Sequence, residues 1–261
     1  MKLSSKIILL AALLCVLLVP ASAFASQYTV YAGELPPFNY KAESGHAEGI
    51  AIDLLVEIMK DVGSPIVAED IRCIDWPKAL KDVEMTPNTI LVSAALTPER
   101  DFKFKWVGPI YALNIGLVAH KKSEIRIRTK HDVNNYRIGV IRNSAPVSML
   151  GAGYGLLEEN LILVDSSEEL FLLLKEGKVD LISHSDMSTP LLMKQFGMAP
   201  DEYEMVHVMT KMNLYYLLNK DTKRGFLNTM QEVLEAMKRS RFDVIVNNYL
   251  GESGPIKIVS P

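Results

Sequence analysis

Residues 89–96 read TILVSAAL, apolar at nearly every position. A strand with one face in water alternates polar and apolar side chains. A strand apolar throughout is covered on both faces, as in sheets flanked by helices. Similar short runs recur at 28–33 (YTVYAG), 115–120 (IGLVAH), 136–141 (YRIGVI) and 178–184 (KVDLISH). Helical patterns stand between them. In 47–63, Ala51, Leu55, Ile58, Met59 and Val62 fall on one stripe of a 3.6-residue period, and Gly63 is placed to end the helix. In 222–240, Phe226, Leu227, Met230, Val233, Leu234 and Met237 make a second stripe. Asp75 precedes a helical WPKALKDVE, Ser166 with Glu169 forms a capping box before LFLLLKEG, and 241–251 reads as a last helix. Strands alternating with helices predict an α/β fold with mainly parallel sheets.

The first residues pair a basic start, Lys2 and Lys6, with an unbroken apolar run from Ile7 to Val19. That run is short for a bilayer, which takes about 20 residues. Small residues follow, with A-x-A patterns at Ala21–Ala23 and Ala23–Ala25. The segment 1–25 therefore reads as a cleavable signal peptide, with an uncleaved anchor as the alternative. Leu14 before Cys15 does not fit a lipid-anchor site. Removal of 1–25 leaves 26 basic residues against 31 acidic ones. A mildly acidic exported protein has no electrostatic reason to seek nucleic acid. It also leaves Cys73 without a disulfide partner, so the core alone must hold the fold; Cys73 reads as a small buried apolar residue.

Enzyme and metal motifs are weak. GAGYG (151–155) lacks the third glycine of a dinucleotide loop, and no Walker-type or G-x-S-x-G motif occurs. No two of His46, His120, His131, His184 and His207 stand at H-x-x-x-H spacing, so neither a metal nor a cofactor is expected. The basic stretch 121–131 reads as a solvated face.

Four segments carry a family resemblance. YAGELPPFNY followed by GHAEGIAIDLLVEIMKDVG has the strand, P-P-F, glycine and G-x-x-x-D-L order of the bacterial extracellular solute-binding proteins of family 3, with Pro36, Pro37, Phe38, Gly49, Asp53 and Leu54 in those places. LTPERDFKFKWVGPIY resembles that family's T-x-x-R segment and the crossing after it. LKEGKVDLISHSD resembles its G-x-V-D strand, and MKRSRFDVIVNNYL its terminal helix pair. IDWPKAL and FKWVGPIY look closest to a divergent branch of poorly defined ligands. The resemblance spans about Tyr28 to Leu250.

It implies a two-lobed periplasmic-binding-protein fold of type II, with the ligand cleft between lobes. Lobe I would be 27–112 plus 217–261 and lobe II 116–212, joined by hinges at about 111–115 and 213–217. It implies a monomeric periplasmic protein that hands a small carboxylate, an amino acid or relative, to an ABC permease. Presentation to a membrane sensor and a dehydratase-like enzyme on the same scaffold are the alternatives. By position, Arg100 would pair with the ligand carboxylate, Ser93 and Ala95 would stand at the strand end, and Trp76 would wall the pocket or serve as a core tryptophan. Ala95 departs from the hydroxyl residue often found there. Asn143 and Ser144 match a turn donating backbone amides. The usual amino-group acid falls on Ser185; Asp186, one place on, or Glu34 from the first lobe would have to replace it.

Overall fold

The computed structural model describes residues 28–250 and 255–259. The expected signal peptide lies outside them. In chain order the strands are β1 (Thr29–Ala32), β2 (Tyr40–Lys41), β3 (Ala47–Glu48), β4 (Arg72–Cys73), β5 (Thr89–Ala95), β6 (Phe104–His120), β7 (Ile138–Ile141), β8 (Leu161–Val164), β9 (Leu181–Ser185) and β10 (Tyr203–Asn219). The helices are α1 (Ile50–Asp61), α2 (Trp76–Met85), α3 (Pro98–Asp101), α4 (Ala145–Tyr154), α5 (Ser167–Lys175), α6 (Thr189–Gln195), α7 (Arg224–Ser240) and α8 (Phe242–Tyr249).

Eight strands form one sheet in the order β4-β1-β5-β10-β6-β9-β7-β8, and β2 and β3 form a separate hairpin. At both ends of the sheet the pairing is parallel, as the alternation of strands and helices predicts. The centre is antiparallel. There β6 and β10 pair along their whole length, from Tyr203 opposite His120 to Asn219 opposite Phe104. β5 joins the C-terminal part of β10, and β9 joins the C-terminal part of β6. The two long strands therefore belong to both halves of the sheet. Sequence reading finds only the part of β6 from Ile115 onward, and it finds neither β8 nor the length of β10.

Each half has helices on both faces. In the first half α1, α7 and α8 cover one face, burying Ile50, Leu55, Ile58, Met230 and Leu234; α2 covers the other with Ala79 and Val83. Each such aliphatic side chain contributes about 1.5–3 kcal/mol by leaving water. In the second half α4 brings Leu150 to one face, and α5 and α6 bring Leu170, Phe171 and Leu192 to the other.

Two local devices shape the region between the halves. The α1 helix begins without a side-chain cap. Instead the carbonyls of Pro37 and Phe38 accept from the N–H groups of Ile50 and Ala51, at 2.9 and 2.8 Å. The loop 34–39 is thereby fixed to the helix start, satisfying groups that helix termini leave open. Where the β6–β10 ladder slips, opposite Leu214–Tyr216, the Gln231 amide takes the place of a strand neighbour. It accepts from the Gly108 N–H at 2.8 Å and donates to the Gly108 carbonyl at 2.9 Å.

After α8 the chain returns to the second half. Met205 donates to Lys257 and accepts from Val259, Ile256 donates to the Asp186 carbonyl, and the Ile256 side chain is buried beside Val118 and Ile182. Residues 256–259, grouped by sequence with the first lobe, thus cover the edge of β10 in the second half, where no other strand among the described residues reaches it.

Candidate functional site

A cavity of about 410 Å³ lies between the halves of the sheet. Its wall takes the loop after β1, the end of β5, the start of α2, the ends of β7 and β9, and the first turn of α5.

Arg100 reaches it through a short local fold. Thr97 and Pro98 open α3, and the Arg100 N–H donates to the Thr97 carbonyl. That single turn folds the side chain back onto the end of β5, where Nη1 donates to the Ala95 carbonyl at 3.0 Å. Nη2 donates to the Asn143 carbonyl at 2.6 Å, across the cleft. The guanidinium also lies 5.2 Å from the centroid of the Trp76 ring. Arg100 is 7% exposed, and among the described residues no carboxylate stands within ion-pair distance of it. Burial lowers its pKa to about 10, which leaves it charged at neutral pH. A buried cation held by carbonyl dipoles and an aromatic face, with no carboxylate in direct contact, is disposed to take an anion.

The flanking backbone is strained on both sides of the cleft. Ser93 has φ 57° and Asn143 has φ 55°, both left-handed. At Ser93 the cause is a bulge: Val92 and Ser93 stand opposite the single residue Tyr216. A bulge re-aims a side chain, and here it leaves the Ser93 hydroxyl shielded in the cavity wall without a partner. Asparagine tolerates the left-handed region better than most residues. At position 143 it turns one carbonyl toward both Arg100 and the Trp76 indole, whose N–H donates at 3.0 Å. Such conformations cost about 1–3 kcal/mol each and persist where the surroundings dictate them.

The structure brings Arg100, Trp76, Ser93, Ala95, Glu34 and Ser144 into one wall. Trp76 both lines the cavity and packs on the α2 core. Ala95 takes part through its carbonyl, so it needs no hydroxyl there. Asn143 also acts through its backbone, bridging the halves. Asp186 is not brought to the wall. It is 5% exposed, and its two carboxylate oxygens accept from the backbone N–H and the side-chain amide of Asn114, at 3.2 and 2.7 Å. Ser185, one place earlier on β9, lines the cavity instead.

Residues not singled out from sequence complete the wall. Asn39, Ser183 and His184 are buried there, and the Ser167 hydroxyl donates to the Glu34 carbonyl at 3.4 Å across the cleft. Cys73 is half-buried in the wall rather than packed inside, because β4 is the edge strand. The first turns of α4 and α5 also border the cavity, and helix starts carry partial positive charge.

The model of the bacterial extracellular solute-binding proteins, family 3, matches residues 29–252. The chain belongs to this family. Solved structures share its fold. ArgBP from T. maritima, as a mutant, superposes with a TM-score of 0.72 at 18% identity, covering 87% of this chain and 96% of that one. An ancestral arginine-binding protein bound to arginine gives 0.71 at 21% identity, covering 86% and 99%. A histidine kinase sensor domain with similarity to periplasmic binding proteins gives 0.74 at 15%, covering 88% and 97%. No curated protein matched. The fold of this family 3 protein is that of the periplasmic binding proteins. Among its described residues no helix is long and apolar enough to cross a membrane.

In this family 3 chain the His184 imidazole adds a pH dependence. Its ring packs edge-on against Phe171, Nδ1 lies 3.2 Å from the Thr189 hydroxyl, and burial lowers its pKa from 6.5 to about 4. Between those values the unfolded chain takes up a proton that the folded chain refuses. This contribution to stability is complete above pH 6.5, declines as the pH falls, and is gone below about 4. At its limit it is about 3 kcal/mol. Urea unfolding at pH 7 and pH 4.5 should show a smaller acid loss for His184→Gln than for the parent; equal losses would remove His184 from the account.

Proposed function

We propose that this protein is a periplasmic binding protein, exported by a signal peptide at 1–25, that captures a small polar carboxylate and delivers it to an ABC importer. The class we favour is an amino acid or a close relative. The lobes would be 27–112 with 217–261, and 116–212, hinged near 111–115 and 213–217, with the tail 256–259 docked on the second. We assign it no catalytic step.

The observation that carries this reading is the Arg100 guanidinium, buried at the wall of the inter-half cavity with no acidic partner among the described residues. A carboxylate can accept two parallel N–H bonds from such a fork. Closure would follow by population shift. Arg100 and Trp76 already bond the Asn143 carbonyl across the cleft, and Ser167 bonds Glu34. Closed walls also shield Glu34 Oε2, Asn39 Oδ1 and the Ser93, Ser144 and Ser183 hydroxyls without partners. Each such group costs about 1–3 kcal/mol, which solvent relieves in an open form and a ligand relieves in the closed one. A ligand bonding several of them approaches the roughly 5.5 kcal/mol needed to turn 1:99 into 99:1.

Titration of the mature chain with amino acids and organic acids, followed by X-ray scattering, tests this. A binding compound should shrink the radius of gyration. Saturation without compaction would sink the closing mechanism. The likeness to a histidine kinase sensor domain supports a second reading, in which the closed form is presented to a membrane sensor. Ligand-dependent capture by detergent-solubilised permease complexes, as against sensor ectodomains, separates the two.

A further inference from the structure

We propose that Cys73 is a covalent acceptor for carboxylate-bearing disulfides, which Arg100 holds in the same cavity while the thiol exchanges into them. The proposal rests on the carboxylate reading of Arg100. Cys73 is free and has no partner cysteine among the described residues. It ends β4, an edge strand of two residues, and stands half-buried in the cavity wall. Independently of the thiol, that wall calls for a bound group. Asn39, Ser93 and Ser183 are at most 5% exposed and line the cavity, and Asn39 Oδ1 and both hydroxyls are shielded without partners.

Thiol and guanidinium are linked through the end of one strand. Cys73 stands opposite Ala32 in the β1–β4 pair, and Ile74 donates to the Ala32 carbonyl at 3.0 Å. The next residue, Gly33, lies beneath Trp76: a Cβ placed on it would stand 3.9 Å from the indole ring. That ring in turn carries the Arg100 guanidinium, 5.2 Å from its centroid. All four residues line the cavity, so a molecule anchored by its carboxylate on the Arg100 fork can extend past the indole to the thiol.

Guidance matters because the thiol is a poor target from bulk solvent. Burial raises its pKa, Glu34 adds to the rise and Lys41 opposes it. The thiolate is the attacking form, and little of it is present at neutral pH. A disulfide held at the wall meets that thiolate in an effectively intramolecular step. The Cys73 thiolate attacks one sulfur of the bound disulfide, a bond from Sγ to that sulfur forms, and the old S–S bond breaks. The other half leaves as a thiolate and takes up the proton that Cys73 gave up. Cys73 is oxidised and the departing half reduced, so no further oxidant is needed. The adduct occupies the cavity until a free thiol reverses the exchange.

Dithiodipropionate, a disulfide with a carboxylate at each end, and the uncharged bis(hydroxyethyl) disulfide decide the matter. Adduct formation on the reduced mature chain would be followed by intact mass, with the urea-unfolded chain as the reference for each reagent's own reactivity. The preference for dithiodipropionate should be about tenfold greater, or more, in the folded chain than in the unfolded one. Arg100→Met should abolish that gain. Suberate, in which two methylenes replace the two sulfurs, should slow the reaction of dithiodipropionate alone, and Cys73→Ser should take no adduct. A folded thiol that reacts with neither reagent, a preference no greater than the unfolded chain's, or a gain that survives Arg100→Met overturns the acceptor. If Arg100→Met does not fold, Arg100→Lys decides: it lacks the fork and should lose most of the gain, and an undiminished gain overturns the acceptor. Calorimetry with suberate on the reduced chain separates the two readings. Suberate binding without guided exchange overturns the acceptor and leaves the Arg100 reading standing. If there is neither suberate binding nor guided exchange, the carboxylate reading fails and this inference with it.

Discussion

Arg100→Ala should weaken binding of the carboxylate ligand by between about thirtyfold and several thousandfold, the range for truncating one partner of a buried, hydrogen-bonded charge pair. The fork is aimed by groups that remain in the variant: the Ala95 carbonyl, the Asn143 carbonyl and the Trp76 ring. Arg100→Lys should recover only part of the loss, because an ammonium is a point charge and cannot offer two parallel bonds. Stability should move the other way. Arg100 is desolvated without an acidic partner, so Arg100→Met, which keeps the volume, should unfold at the same temperature as the parent or higher. A titration in which Arg100→Ala binds as tightly as the parent removes the anion anchor.

Gly49→Ala has the largest expected effect on folding. Gly49 has φ 129°, a conformation that side-chain-bearing residues rarely adopt. A Cβ there would stand 2.4 Å from the Phe38 carbonyl oxygen and 2.6 Å from its carbon, which are backbone atoms and cannot swing aside. The same carbonyl serves the first turn of α1, so relief by loop movement would break that bond too. Strain and overpacking together should cost about 4 kcal/mol, or roughly 10 °C in Tm for a chain of this size. Because Glu34 and Asn39 ride on that loop, affinity should fall along with stability. A Tm within 2 °C of the parent, by the scale of about 2–4 °C per kcal/mol, would show that the loop yields more easily than its bonding suggests.

What was legible in the sequence followed from unbroken periods. α1 and α7 bury one stripe each, and β5 is covered on both faces, so their patterns survive translation into letters. The long strands did not survive it. β10 shifts register between Met205 and His207, between Val208 and Thr210, and between Leu214 and Tyr216. The first two each put one extra residue on β10 and so exchange its faces, and no alternation lasts long enough to read. Arg100 stood out because a permanent charge followed an apolar strand. Asp186 misled for the opposite reason, since one step along β9 turns from the cavity at Ser185 to Asn114. Asn39 gave no signal at all: what marks it is that Nδ2 is spent on the Gly33 carbonyl while Oδ1 is left without a partner.

The docked tail has a mechanical consequence. The last helix, α8, belongs to the core of the first half, yet Ile256 is buried in the second. The chain therefore passes between the halves three times, along β6, along β10, and once more between α8 and Ile256. A label at exposed position 257 would ride with the second half and would report its swing relative to a label placed on α1.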